Sequence, residues 1–280
     1  MDAKLQLRVQ RYGWDAAADH YHDAWQVQLA PAQGTLLRMA GLLAGQSVLE
    51  VAAGSGLVTS ALARAVGPEG HVLATDLSGK MVAQLSTRVS AMGLDQVNCT
   101  RMNAERIDAD DAAFDHVVCA LGLMYVPDPE RAMGELARVL RPGGRLTVTV
   151  WGARNRCGWA GIFPIVDREV ASDVCPMFFA TGGGDVLVRM AQAQGLMQIT
   201  SKRQAEKLHF TSERDLIRAV IDGGPVALAV KRFSQSARRR VEAAFVESVA
   251  AYAQPDGSYQ IPGEFLTVSA TRPGTEERNL

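Results

Sequence analysis

The sequence predicts an α/β protein built on a doubly wound, mostly parallel seven-stranded sheet, and three observations carry that prediction. Short β-branched and aliphatic segments alternate with helix-like stretches between Gln46 and Trp151, the order expected of parallel strands joined by helical crossovers. The first apolar segment, Val48-Leu49-Glu50-Val51, runs directly into the small residues Ala52-Ala53-Gly54-Ser55-Gly56 and then the helix-like Leu57 to Ala65. Small residues at such a strand-to-helix turn let a ligand approach the backbone. A second apolar segment, Val72-Leu73-Ala74-Thr75, ends on the carboxylate Asp76, placed to accept hydrogen bonds from both hydroxyls of a ribose.

Taken in order, residues 1–46 read as helical, with Tyr12, Trp14, Tyr21 and Trp25 spaced so that several share a face. Strands are expected near 47–51, 71–75, 97–102, 114–120 and 145–151, with helices between them. Beyond Trp151 the chain becomes rich in aromatics, with Trp159, Phe163, Phe178 and Phe179, and breaks at Gly182-Gly183-Gly184. Residues 192–200 then read as helix and 207–210 as a sixth strand. Residues 212–230 and 234–253 are helical, and 265–270 form the last strand. This divides the chain into a helical lid (1–46), a ligand-binding core (47–152), a substrate-pocket region with the sixth strand (153–210), and a helical insertion with the final strand (211–280).

With 280 residues, 48% of them hydrophobic, the chain can bury a sizeable core, and its formal charge of -1 gives no field that would gather nucleic acid. Arg238-Arg239-Arg240 reads as a solvated helix face. The charged N-terminal segment and the lack of any apolar run of about 18 residues predict a cytoplasmic protein without a membrane span. Cys99, Cys119, Cys157 and Cys175 are too widely spaced for a metal or redox pair, so no metal is expected. Cys157 and Cys175 fall in the pocket region, which leaves room for a thiol role towards substrate.

In open parallel sheets the ligand lies beyond the carboxyl ends of the strands, which gathers Glu50 to Gly56, Asp76, Asn103 to Glu105 and Ala120 to Tyr125 at one edge. A dinucleotide site would show three glycines serving a pyrophosphate, whereas here Ala52 stands at the first position and nothing after Gly56 favours a diphosphate. Glu50 would repel phosphates but suits the ammonium of an amino-acid-bearing nucleoside. S-adenosylmethionine is such a ligand.

Glu50-Val51-Ala52-Ala53-Gly54-Ser55-Gly56 resembles the first motif of class I S-adenosylmethionine-dependent methyltransferases. Asp76-Leu77-Ser78-Gly79-Lys80-Met81, Asn103-Ala104-Glu105 and Phe114 to Cys119 resemble the later motifs. The stretch Ala132 to Val150, with Arg141-Pro142-Gly143-Gly144, is similar to the small-molecule branch that includes the quinone-biosynthesis methyltransferases. The likeness is good over residues 12–152 and loose beyond. It implies a Rossmann-like core with S-adenosylmethionine held by Glu50, Ala52, Gly54, Gly56, Asp76, Leu77, Met81, Asn103, Ala104, Glu105 and Ala120. Trp14 to Tyr21 would close over it, bringing Tyr21 to the cofactor. Two departures are Ala52, where the family often has glycine, and Asn103, where an acidic residue is usual.

Methyl transfer from a sulfonium is an in-line displacement that mainly needs alignment of donor and acceptor. For an acceptor that must lose a proton, His20, His22 and Tyr125 are the candidate bases. Trp25, Tyr125, Trp151 and Phe178 are expected to contact the acceptor, a small and fairly apolar organic molecule methylated on O, C, N or S. Enzymes that methylate nucleobase amines carry Asn or Asp, two prolines and an aromatic after the fourth strand, and this chain has Ala120-Leu121-Gly122-Leu123. Two rivals stay open: a NAD-dependent oxidoreductase, and a non-methylating S-adenosylmethionine-binding protein. The sequence is equally compatible with a monomer and a homo-oligomer.

Overall fold

Strand β1 (Ser47–Val51) lies at the centre of the molecule because its side chains are apolar towards both faces: Val48 packs on one side of the sheet and Leu49 on the other. The computed structural model describes residues 3–170 and 178–274. On one flank β1 pairs in parallel with β2 (His71–Asp76), which pairs with β3 (Val97–Arg101). On the other it pairs with β4 (Phe114–Ala120), followed by β5 (Leu140–Trp151). A long hairpin of β6 (Met197–Phe210) and β7 (Tyr259–Thr271) completes the sheet, with β7 antiparallel to β5, giving the order β3-β2-β1-β4-β5-β7-β6. The order reverses between β1 and β4, and the connections diverge there to leave a crevice past Val51 and Ala120.

Helix α1 (Ala3–Ala40) is one long element that buries Ala18, Trp25, Leu29, Ala32, Leu36 and Ala40 at intervals of three, four or seven. Helices α2 (Thr59–Val66) and α3 (Gly79–Ala91) cover one face of the core, and α4 (Pro129–Val139) the other. Ser78 caps α3 by accepting the Met81 N–H, and Asp128 caps α4 ahead of Pro129. Short helices α5 (Ile162–Asp167) and α6 (Val186–Ala193) precede the β6–β7 hairpin. Between β6 and β7 stand α7 (Glu213–Ile217), a π-turn at Arg218–Asp222, α8 (Ala227–Val230) and α9 (Gln235–Ser248). No helix among the described residues is long and apolar enough to cross a membrane.

The seven strands, their order along the chain and the insertion between the sixth and seventh agree with the expectation, while several boundaries move. β5 starts at Leu140, because the Pro142-Gly143-Gly144 turn is built into the strand. The helix expected at 192–200 is instead α6, which ends at Ala193, and β6 begins at Met197. This edge strand is solvated along most of its length, so its polar residues carry no alternation for a sequence reading to detect. β7 starts at Tyr259, six residues before the expected Phe265. The arginine cluster is ion-paired: Arg238 binds Asp222 and Glu242, and Arg240 binds Glu169.

α1 reaches well past the crevice. Gln28 Nε2 donates to the His209 carbonyl (2.9 Å) and Thr35 Oγ1 to Gln204 Oε1 (2.6 Å), tying the helix across to β6. Trp25 Nε1 donates to the carbonyls of Ala219 (3.0 Å) and Gly223 (3.1 Å) where the π-turn ends. Removing that donor strands buried carbonyls that accept nothing else from the indole. Trp25→Phe is therefore expected to lower unfolding free energy by about 1–3 kcal/mol in urea titrations, and an unchanged midpoint would contradict this anchoring role.

Candidate functional site

The crevice at the ends of β1 and β4 is roofed by the N-terminal half of α1, forming a cleft of about 670 Å³. Its floor is Val51, Ala52 and Gly54 after β1 and Ala120, Leu121 and Gly122 after β4. One wall holds Asp76, Leu77 and Met81, the next Met102, Asn103 and Ala104, and the roof Leu7, Gln10, Trp14 and Tyr21. Among these residues Asp76 carries the sole formal charge, and no lysine, arginine or histidine lines the cleft.

The loop after β1 closes by backbone geometry that few residues adopt. Ala52, Gly54 and Gly56 all have left-handed φ angles, of 56°, 57° and 92°, and Leu121 on the facing strand end has 59°. For an alanine or leucine this conformation costs roughly 1–2 kcal/mol. Ala52 is thus more than a methyl added to the turn, since it holds a strained conformation that glycine would adopt freely. The two strand ends also touch: a Cβ on Gly122 would lie 2.2 Å from the Ala52 Cβ.

Asp76 fixes this loop to the cleft wall. Its Oδ2 accepts the Gly54 N–H (2.8 Å) and its Oδ1 the Ser78 N–H (2.8 Å), while the residue is 8% exposed at the cleft surface. Burial pushes its pKa up to about 6 against the opposing pull of these hydrogen bonds.

Glu50 lies beneath the cleft surface. It is 1% exposed, does not line the cleft, and accepts a hydrogen bond from Thr59 Oγ1 (2.6 Å) on α2. Burial raises its pKa to about 8, so the group is largely a neutral acid at pH 7, unsuited to pair with an ammonium. Gly56 also faces away, towards Leu85 of α3, where a Cβ would come within 2.5 Å. Asn103 and Ala104 line the cleft, but Asn103 Oδ1 already accepts the Glu105 N–H (3.0 Å). Glu105 points to α4, where Oε1 accepts the Asp128 N–H (2.9 Å) and its carbonyl takes Arg131 Nε.

The roof is latched to the same corner. Asp15 Oδ1 accepts from Ser78 Oγ (2.6 Å) and the Lys80 N–H (3.2 Å), and Asp19 pairs with Lys80 (2.9 Å). This latch sets Trp14 and Tyr21 edge to face (5.6 Å), with Trp14 also against Tyr125 (4.7 Å). His20 and His22 do not line the cleft. His22 Nδ1 lies 2.9 Å from Ser55 Oγ, on the far side of the glycine loop beside Arg88, because residues 20 and 22 of a helix leave the stripe formed by 14 and 21. Tyr125 does line the cleft, yet burial holds its phenol well above the ordinary range, as it does for Tyr21. Neither phenol is a ready base.

Behind the cleft lies a smaller chamber of about 290 Å³. It shares Trp14, Tyr21, Leu121 and Tyr125 with the cleft and is completed by Trp25, Leu29, Trp151, Trp159 and the Gly223-Gly224-Pro225 segment. Trp25, Tyr125 and Trp151 therefore converge as the sequence suggested. Phe178 sits one layer out, packed on Tyr125 (5.0 Å) and Trp159 (5.5 Å). Met102 was not identified from sequence, while Trp14, Leu121 and Trp159 were expected at the site only as parts of the segments 14–21, 120–125 and 153–210. Helical spacing could have singled out Trp14, since it lies seven residues from Tyr21 on a helix, whereas Trp159 reaches the chamber through two turns of irregular chain. Cys157 is buried with its thiol pKa pushed up to about 11 and lines neither pocket, and Cys175 lies outside the described residues.

Comparison with known proteins agrees with this geometry. Residues 48–144 match the family model described as a methyltransferase domain. The chain is 28% identical over 213 residues to a demethylmenaquinone methyltransferase of Bacillus cytotoxicus, covering 76% of this chain and 81% of that one. It is 32% identical over 190 residues to an uncharacterised protein of Mycobacterium tuberculosis, covering 65% and 68%. In three dimensions it resembles a phosphoethanolamine N-methyltransferase of Haemonchus contortus crystallised with S-adenosyl-L-methionine (TM-score 0.59, 16% identity, 92% of this chain and 57% of that one). The fold and the charge-poor cleft at the switch point are those of a class I methyltransferase. The chain belongs to the S-adenosylmethionine-dependent methyltransferases and is similar to their quinone-biosynthesis members.

Two outcomes follow from the site's packing. Gly122→Ala drives a methyl into Ala52 and against Cys119 and is expected to cost about 1–3 kcal/mol of stability by denaturant titration. For Glu50, the folded pKa lies above the unfolded value, so the unfolded state ionises first and stability is lost as pH rises from about 4.5 to 8. Glu50→Gln is expected to remove that loss, with its Tm gain over the native protein growing between pH 5 and pH 8. A gain independent of pH would show that Glu50 is ionised in the fold.

Proposed function

We propose that this methyltransferase acts on a small, largely apolar acceptor of the phenol or quinol type, with the cofactor in the cleft beneath α1 and the acceptor in the aromatic chamber. The observation that carries this reading is the shared boundary. Trp14, Tyr21, Leu121 and Tyr125 line both spaces, so ligands filling the two meet face to face across it.

The cleft residues fit S-adenosylmethionine. Asp76 offers a carboxylate to a ribose, and Leu77, Met81, Met102 and Ala104 provide an apolar slot for a base, with Asn103 at its edge. With no cation available, a diphosphate would go uncompensated, which disfavours NAD. A sulfonium suits the aromatic faces of Trp14, Tyr21 and Tyr125. Bound there, the cofactor supplies a methyl group ready for displacement; the protein's share is to hold the partners in line and exclude water.

Among the described residues, no group lining the chamber is set to take a proton at neutral pH. Both tyrosine pKa values are raised, and the histidines lie elsewhere. The acceptor therefore has to bring its own nucleophile, as a phenolate does at oxygen or at the adjacent ring carbon. The names of the quinone-biosynthesis relatives support an acceptor of this kind. In this reading residues 1–46 combine a lid with a structural layer, 47–152 hold the cofactor, 153–210 build the chamber wall, and the 211–280 region closes it through Gly223 to Pro225. The pairing of Arg238 with Asp222 and of Arg240 with Glu169 supports a small-molecule acceptor over nucleic acid.

Calorimetric titration tests the assignment. S-adenosylhomocysteine should bind and NAD should not, and Asp76→Ala should weaken the former. Because an ionised Asp76 is the better ribose acceptor and its pKa is about 6, affinity should fall about tenfold as pH drops to 5. Asp76→Asn should flatten that profile. Binding of NAD, or a native affinity that ignores pH across this range, would refute the site.

A further inference from the structure

The chamber wall carries two indole donors, those of Trp25 and Trp159, and one of them is unmatched. Trp25 Nε1 is committed to the carbonyls of Ala219 and Gly223. Trp159, also in the chamber wall, is 1% exposed, and its Nε1 has no hydrogen-bond partner among the described residues. Its ring is held by Trp151 (5.0 Å), Phe163 (5.8 Å) and Phe178 (5.5 Å), leaving little freedom to turn the N–H elsewhere. A buried indole donor without an acceptor is costly, and proteins seldom retain one unless a ligand completes it.

We infer that Trp159 is a specificity-determining residue: its indole N–H binds an oxygen of the acceptor, a carbonyl or phenolic oxygen conjugated to the ring, and so fixes which edge of that ring meets the cofactor. The inference rests on the chamber being the acceptor site and adds the chemistry the acceptor must display. No carboxylate or basic side chain lines the chamber, so an oxygen that accepts a hydrogen bond is the polar group it is equipped to recognise. Discrimination follows from the same atom. A ring lacking that oxygen leaves the indole unpaired in the complex, and sites built to pair a buried polar group reject the analogue without it more strongly than they reject a change in size.

The test uses the full chain saturated with S-adenosylhomocysteine and two probes of one shape, 1-naphthol and naphthalene. By calorimetry, 1-naphthol should bind at least about tenfold more tightly than naphthalene. Trp159→Phe should erase that preference by weakening 1-naphthol alone, with naphthalene and S-adenosylhomocysteine affinities unchanged. A second measurement does not depend on the variant folding. The chain has four tryptophans, and in the 15N-labelled native protein the Trp159 indole proton should move downfield with 1-naphthol and stay with naphthalene. The resonance is assigned by replacing the other three tryptophans one at a time. Equal binding of the two probes with an unmoved Trp159 signal overturns the inference and leaves the chamber as acceptor site. If S-adenosylhomocysteine binds and neither probe does, the chamber reading falls and the inference with it.

Discussion

The cleft depends on one buried carboxylate. Asp76 stands at the end of β2, where the strand delivers it to the crevice, and its two oxygens are spent on two separate backbone amides. One bond holds Gly54 in the turn after β1; the other holds Ser78 at the start of α3. The partial positive charge of a helix N-terminus and the direct amide bonds offset part of what burial costs the anion. The offset is incomplete, which is why its pKa lies near 6. A carboxylate poised in this way gains from further donors, and a ribose diol supplies them.

Ser78 extends that constraint to the roof. Its hydroxyl accepts the Met81 amide as the cap of α3 and donates to Asp15 of α1, so the corner that carries Asp76 also sets the height of α1. From there α1 runs down over the sheet to Thr35 and Gln204. A helix fixed at its far end by Trp25, Gln28 and Thr35, and latched near the cleft by the more exposed Asp15, Asp19 and Lys80, can open at the latch while its remainder stays in place. Exposed pairs of the Asp19–Lys80 kind contribute little individually, typically less than about 1 kcal/mol, which suits a contact that must be released for ligands to pass.

Strain is concentrated where β1 and β4 end. Ala52 and Leu121 both hold left-handed backbone conformations and face each other across Gly122, whose missing side chain is the space that the Ala52 methyl occupies. Such conformations persist only where the surroundings enforce them. Here the enforcement comes from the ladder on either side, with Ala53 N–H bound to the Thr75 carbonyl and Leu121 N–H bound to that of Thr149. The result is two backbone edges that meet the ligand space with no bulky side chain between them.

The sequence by itself determined the α/β class, the central parallel strands, the glycine turn and Asp76, because each is written in local chemistry: β-branched runs, small residues at one turn, a carboxylate at a strand tip. It also anticipated that Trp25, Tyr125 and Trp151 come together at one place in the fold. Helical spacing separates His20 and His22 from the stripe made by Trp14 and Tyr21, but which face of α1 meets the cleft is decided only by the folded packing. Nor could the sequence decide that Glu50 turns towards Thr59 in a fully buried setting that raises its pKa, because alternation along β1 names a face without naming what lies behind it. β6 escaped detection because a solvated edge strand needs no apolar pattern. Trp159 fell within the segment that the sequence assigned to the pocket, but only the folded packing of Trp151, Phe163 and Phe178 around it decides where its N–H is left.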